Sequence, residues 1–154
     1  MNNEMIHARK WLIHTALAYL GRPYIWGGDD PSGFDCSGLV VECLKSVGLL
    51  AENEDFTADG LLRLYEAQTI KKAEAGCLLF RLNERGRATH VAICLDSQFQ
   101  ISAGGGSDTT LTPTDSWRHN AFVRIRPIRF HRGKTTLCVP FAENATGHAG
   151  IASG

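Results

Sequence analysis

The pattern of residues 26–44 predicts a loop that runs directly into a helix, early in the chain. Glycine and proline residues punctuate the first half of this stretch, as is typical of an irregular loop. From Leu39 onward apolar residues recur at helical spacing, and Gly48 supplies a stop signal. Asp35 is a favourable N-cap residue, so the pattern predicts a helix whose first turn contains Cys36.

Cys36 is the first candidate for chemistry because of its place at this junction. The start of a helix presents unpaired backbone N–H groups and the positive end of the helix dipole, which both favour an anion. We therefore expect a lowered thiol pKa and a thiolate nucleophile at this position. Tyr24 and Trp26 precede the cysteine closely enough to line a cleft, although both could simply anchor the loop. The hypothesis is that Cys36 is catalytic.

Composition narrows the classes of function. The chain has 154 residues and a formal net charge of zero, which favours one domain and argues against non-specific nucleic-acid binding. The five cysteines include no Cys-x-x-Cys pair, so we expect free thiols and no structural zinc. Neither residues 133–135 nor the glycine run at 104–106 has the context of a phosphate loop. No metal and no cofactor is therefore expected.

Helical patterns come first along the chain and strand patterns follow. Residues 6–20 and 57–68 are predicted helices on either side of the Cys36 helix. This order indicates an α+β fold, with N-terminal helices packed on a central antiparallel sheet. We expect a catalytic domain over residues 1–130 and a C-terminal extension over residues 131–154, with one strand at 137–141 and then a flexible tail. The other strands are predicted at 76–80, 89–95, 99–102, 109–111 and 121–126, the last at a sheet edge.

A nucleophilic cysteine needs a base, and His90 is the best candidate among the six histidines. It opens a strand that we place in the centre of the sheet, and a rigid scaffold suits a catalytic imidazole. The alternative is a structural histidine at the start of a strand. The residue by itself favours neither interpretation.

Four segments of the chain carry a combined pattern, namely 24–28, 34–39, 76–80 and 89–93, with the core Asp-Cys-Ser-Gly at 35–38. Taken together they resemble the NlpC family of papain-like cell-wall peptidases. The resemblance runs in order from about residue 7 to about residue 128. It implies Cys36 as nucleophile, His90 as base, and a Tyr24 hydroxyl that steadies the oxyanion with the Cys36 backbone N–H. It also implies that Asp35 and Ser37 contact the free amine of a stem peptide, although Asp35 could equally be only a cap.

The third catalytic position departs from the pattern of the family. Members usually carry a polar residue there, most often histidine, and this chain has Ser102. A serine hydroxyl can accept a hydrogen bond from the imidazole, but it carries no charge and reaches less far. Gln100 has the same strand parity and a longer side chain, so it is a rival for orienting His90.

The resemblance implies hydrolysis of peptidoglycan stem peptides, often at the γ-D-glutamyl–diamino-acid bond. Two alternatives stay open, namely a non-catalytic wall-binding or assembly module, motivated by Ser102, and acyl transfer from the same acyl-enzyme. The expected partner is the stem peptide, with no nucleic acid and no membrane span. Residues 1–20 do not form a convincing export signal. We therefore expect synthesis in the cytoplasm and action at the bacterial cell wall, with a phage tail or a secretion machine as the delivering partner.

Overall fold

Four α-helices and a six-stranded antiparallel sheet form the part of the chain described by this computed structural model, residues 2–141. Each of the four described helices begins at a side chain that caps free N–H groups, namely Asn2, Asp35, Thr57 and Thr112. The caps expected at Asp35 and Thr57 are confirmed. The helices are α1 (Asn3–Ala18), α2 (Cys36–Ser46), α3 (Ala58–Tyr65) and α4 (Pro113–Arg118), and a short 3₁₀ turn, Glu66–Gln68, extends α3.

The strands are β1 (Asp29–Asp30), β2 (Gly33–Phe34), β3 (Thr69–Ile70), β4 (Leu78–Leu82), β5 (Ala88–Cys94), β6 (Phe99–Gly104), β7 (Phe122–Pro127) and β8 (Thr135–Cys138). The six-stranded sheet runs in the order β3-β8-β4-β5-β6-β7, so the strand that carries His90 lies in its interior. The edge position expected for the strand at 121–126 is also confirmed, because β7 is an outer strand of this sheet within residues 2–141. A separate two-stranded pair, β1 and β2, lies in the loop before α2.

The strand predicted at residues 109–111 is wrong. This segment is a loop that leads into α4, which sequence periodicity missed because the helix is only six residues long. Thr112 and Asp115 form a capping box across its first turn, and Pro113 occupies the start of the helix. These local signals outweigh the β propensity of the threonines before them.

The last described strand, β8, pairs with β4 on one side and with β3 on the other. It therefore belongs to the same sheet as His90, and one strand, β4, lies between it and β5. The flexible tail expected after Phe141 lies outside the described residues. The division of the chain at residue 130 stays a prediction.

The sheet has two unlike faces. One face packs on the helices and contributes Val91 and Ile93 to the main core. The other face carries a smaller apolar cluster that includes Ala92 and Cys94. Because side chains alternate along a strand, His90 belongs to this second face, away from the helices. None of the helices within residues 2–141 combines the length and the apolar character that a membrane crossing requires.

Candidate active site

Cys36 is the first residue of α2, and the loop before the helix holds it closely. The Asp35 carboxylate accepts a hydrogen bond from the Gly38 N–H at 2.7 Å and another from the Ser37 hydroxyl at 3.3 Å. Gly38 must be a glycine here, because a Cβ atom would lie 2.0 Å from the Gly28 carbonyl oxygen. The Asp-Cys-Ser-Gly core thus locks the glycine-rich loop against the first turn of the helix.

The half-buried Cys36 thiol meets the sheet at β5. The backbone N–H of Val91, the residue that follows His90, lies close enough to its sulfur to favour the thiolate. Strands β5 and β6 pair only at Ile93 with Ile101 and at Cys94 with Gln100. Their pairing thus stops before Val91, which leaves that N–H available to the sulfur. The geometry brings the two principal candidates of the sequence, Cys36 and His90, to the same end of β5.

Burial sets the protonation states of this pair. It raises the pKa of the Cys36 thiol, and the nearby Asp35 charge adds to this rise while the Val91 N–H opposes it. The lowered thiol pKa expected from the helix terminus is therefore wrong, since desolvation outweighs the helix end. Burial and the neighbouring Arg81 lower the pKa of His90 to about 4. At neutral pH the Cys36 thiol is therefore protonated and the His90 imidazole is neutral, so the imidazole can accept a proton.

Tyr24 lies beside the cysteine in the core. Its ring is buried, with 7% of the residue exposed, and its backbone N–H donates to the Ala121 carbonyl at 3.0 Å. Burial, and then the proximity of Cys36 and Asp35, raise the pKa of Tyr24 to about 12. The hydroxyl therefore stays protonated and can donate a hydrogen bond. The Gly105–Gly106 turn covers the ring, because a Cβ atom on Gly106 would lie 2.1 Å from it.

The two candidate orienters of His90 lie on the same face of the sheet as the imidazole. His90, Gln100 and Ser102 line one cavity of about 510 Å³. Gln100 is opposite Cys94, four residues along β5 from His90, which corresponds to about 13 Å of strand. Ser102 is two residues nearer. Within residues 2–141 neither side chain forms a hydrogen bond with the imidazole, and the Gln100 amide donates to the Pro127 carbonyl at 3.5 Å.

The candidate substrate contacts separate into two groups. Asp35 and Ser37 line a second cavity of about 230 Å³ beside the start of α2, together with Asp55. Trp26 is half exposed and lies apart from both cavities as residues 2–141 form them. Its backbone N–H donates to the Thr110 carbonyl at 2.8 Å, so the loop that carries α4 anchors it.

Two features of the site were not predicted from the sequence. The Val91 N–H near the sulfur belongs to the backbone, so no side-chain pattern could have indicated it. The cavity beside His90 also contains Arg81, Arg126 and Arg129. Arg81 and Arg126 fall at strand positions of the same parity as His90 and Gln100, a signal that is readable only once the register is known.

A cysteine at a helix N-terminus, packed against a histidine-bearing antiparallel sheet, is a papain-like arrangement. The model of the NlpC/P60 family matches residues 21–126. This match covers more than half of the chain, and the chain belongs to the NlpC/P60 family. The resemblance seen in the sequence is thereby confirmed.

The relatives include named cell-wall enzymes. The chain is 32% identical over 128 residues to the murein DD-endopeptidase MepH of Escherichia coli strain K12, covering 79% of this chain and 46% of the relative. It is 32% identical over 84 residues to a gamma-D-glutamyl-L-lysine dipeptidyl-peptidase of Bacillus subtilis strain 168, covering 53% and 27%. The chain thus spans less than half the length of these curated relatives.

Solved structures give the same family. The NlpC/p60 domain of the peptidoglycan hydrolase SagA superposes with a TM-score of 0.58 at 27% identity, covering 85% of this chain and 98% of that domain. The peptidoglycan hydrolase RipB of Mycobacterium tuberculosis superposes with a TM-score of 0.65 at 25% identity, covering 90% and 67%. These neighbours confirm the α+β, papain-like fold class expected from the sequence.

Proposed function

We propose that this chain is a cysteine peptidase that hydrolyses amide bonds in peptidoglycan stem peptides, of the γ-D-glutamyl–diamino-acid type. The observation that carries the proposal is the placement of Cys36. Its sulfur lies near the Val91 N–H, at the end of β5 where His90 lies, and Tyr24 is beside it. The named activities of the relatives support the same class of substrate.

The reaction follows from these positions. His90 takes the proton of the Cys36 thiol as the sulfur attacks the carbonyl carbon of the scissile amide. The Tyr24 hydroxyl and the Cys36 backbone N–H donate to the oxyanion of the tetrahedral intermediate, and one such donor contributes about 3–4 kcal/mol in other hydrolases. The imidazolium then gives its proton to the leaving amine, and a thioester remains on Cys36. Water, deprotonated by the same imidazole, hydrolyses the thioester and restores the thiol.

The neutral resting pair suits this sequence of steps. A thiol with a raised pKa is weakly nucleophilic until a base removes its proton, and the pKa of His90 leaves the base unprotonated at neutral pH. Proton transfer therefore accompanies attack rather than preceding it. Ser102, the nearer of the two candidate orienters, would hold the imidazole through its hydroxyl or through a bridging water.

The test is a digest of purified muropeptides, with the cut bonds assigned by mass spectrometry. We expect wild type to release fragments cut at a γ-D-glutamyl bond and Cys36→Ala to release none. Cys43→Ala is the matched control, since it removes a buried thiol from the same helix and should keep the products. Identical product patterns from wild type and Cys36→Ala would refute the proposal.

A second function is favoured by one observation, the absence of a hydrogen bond to the His90 imidazole within the described part of the chain. With Ser102 at the third position, the domain would then be a wall-binding or assembly module that keeps the cleft. Binding to insoluble peptidoglycan without any released fragment would support this alternative. Products in which the acyl group joins a new amine would indicate acyl transfer from the same thioester.

We propose that a phage tail or a secretion machine delivers this protein to the bacterial cell wall. Detection of the protein in mature virions, or in secreted material only while such a machine is intact, tests this directly. Recovery of the protein in neither fraction would favour a role in recycling wall fragments.

A further inference from the structure

The cavity beside His90 is strongly basic. Arg81 lies directly opposite His90 across the β4–β5 pair, and Arg126 lies opposite Gln100 across the β6–β7 pair. Arg129 follows β7 and lines the same space. No aspartate or glutamate is among the residues that line this cavity of about 510 Å³. Three arginine residues thus line the cavity that His90 also lines.

These guanidinium groups have no carboxylate partner among residues 2–141. The four ion pairs in this part of the chain use Arg9, Arg63 and Arg87 instead. The Gln100 side chain, with 6% of the residue exposed, also lines the cavity, and its amide oxygen is buried without a hydrogen-bond partner. The amide NH₂ group donates to the Pro127 carbonyl at 3.5 Å. The arginine side chains, which have no carboxylate partner, therefore form the donor set for an anion.

The cavity beside the start of α2 has the opposite charge. Asp29, Asp35 and Asp55 line it, and no arginine or lysine does. The two cavities therefore give the site a polarity, acidic beside the start of α2 and basic beside His90. A ligand that spans both would carry an amine at one end and a carboxylate at the other.

The chemistry of the reaction decides which carboxylate this is. The imidazolium must lie within hydrogen-bond reach of the leaving nitrogen to protonate it. When the leaving group is an amino acid, its α-carboxylate is attached to the carbon bonded to that nitrogen. The carboxylate therefore lies within a few ångströms of His90, on the side where the arginines are.

We propose that Arg81, Arg126 and Arg129 form a subsite for the carboxylate of the leaving residue, and so select stem peptides with a free acid next to the scissile bond. This inference rests on the proposed peptidase function, since His90 defines the leaving side. Arg81 is the principal contact, because it is half-buried and lies opposite His90. Arg126 and Arg129 are more exposed and supply the surrounding charge.

Binding to the Cys36→Ala protein tests the subsite without requiring turnover. The probes are the tripeptide L-alanyl-γ-D-glutamyl-L-lysine and its C-terminal carboxamide, measured by isothermal titration calorimetry. We expect the acid to bind about tenfold more tightly than the amide, the effect of one charge-assisted hydrogen bond in a partly buried site. Adding Arg81→Gln should bring the two dissociation constants within about twofold of each other.

The controls separate this subsite from general charge and from folding. Arg85→Gln removes an exposed arginine from the turn between β4 and β5 and should keep the tenfold preference. Arg126→Gln, on the exposed edge strand, should weaken the preference if Arg81→Gln fails to fold. Equal binding of acid and amide, binding of neither peptide, or an equal loss in Arg85→Gln would overturn the inference. The muropeptide digest reports on the peptidase function separately.

Discussion

Gly106→Ala tests how the Tyr24 hydroxyl is held. A Cβ atom on Gly106 would lie 2.1, 2.4 and 2.6 Å from three carbon atoms of the Tyr24 ring. Ordinary contacts begin at 3.4 Å, so ring and turn must separate by 3.4 − 2.1 = 1.3 Å. Tyr24 is buried beneath the turn, and a shift of the ring moves its hydroxyl away from Cys36.

The expected loss follows from this displacement. Misplacing a catalytic group by about 1 Å costs on the order of 100-fold in rate, and removing an oxyanion donor costs about 100- to 1,000-fold. We therefore expect kcat on a stem peptide to fall about 100-fold in Gly106→Ala, close to the loss in Tyr24→Phe. Overpacking should also lower the free energy of unfolding by about 1–3 kcal/mol, measured by urea denaturation.

Two comparisons decide whether the loss acts through the hydroxyl. In a Tyr24→Phe background, Gly106→Ala should add little further loss in kcat, because the group that it displaces is already absent. Gly104→Ala is the matched control, since its Cβ would meet only the Ser102 hydroxyl, at 3.9 Å. If Tyr24→Phe keeps wild-type kcat while Gly106→Ala loses it, the assignment of the hydroxyl to the oxyanion is refuted.

Two further predictions concern the base and the helix cap. Because the pKa of His90 is lowered to about 4 from 6.5, the unfolded chain takes up the proton first as the pH falls. The folded state should lose about 3 kcal/mol of stability between pH 6.5 and pH 4, and this part of the loss should be absent from His90→Gln in urea denaturation at both pH values. Asp35→Ala should lower the free energy of unfolding by about 1 kcal/mol because it removes the helix cap, whereas Asp35→Ser should keep the cap. If Asp35 also contacts the amine of the substrate, Asp35→Ser should raise KM while the free energy of unfolding stays normal. An unchanged KM would show that the carboxylate serves only as a helix cap.

Local patterns in the sequence predicted the helix that carries Cys36 and the strand that carries His90. The turn-rich loop, the Asp35 cap and the apolar spacing after Leu39 predicted α2 and the position of Cys36 at its start. These signals act within a few residues of one another, so they can be read without knowledge of the fold. The strand that begins near His90 was readable for the same reason, from a short apolar run between turns.

Other parts of the fold depend on contacts between distant segments. The strands β3 and β8 pair across 65 or more residues of chain, and the two-residue β3 has almost no pattern of its own. The loss of pairing between β5 and β6, which frees the Val91 N–H, is a property of the two strands together. The α4 helix is the exception, since its capping box is readable in the sequence, although the β propensity of the threonines before it led to the prediction of a strand.

The sequence by itself determined where the nucleophile enters a helix, which histidine opens a central strand, and which family the motifs resemble. Tertiary structure decided the electrostatics, because charge and desolvation depend on what packs around a group. Burial raised the pKa of the Cys36 thiol against the local effect of the helix end, and Arg81 helped to lower that of His90. The tertiary structure also brings arginines from separate strands into one cavity, because only the register of the sheet places them together.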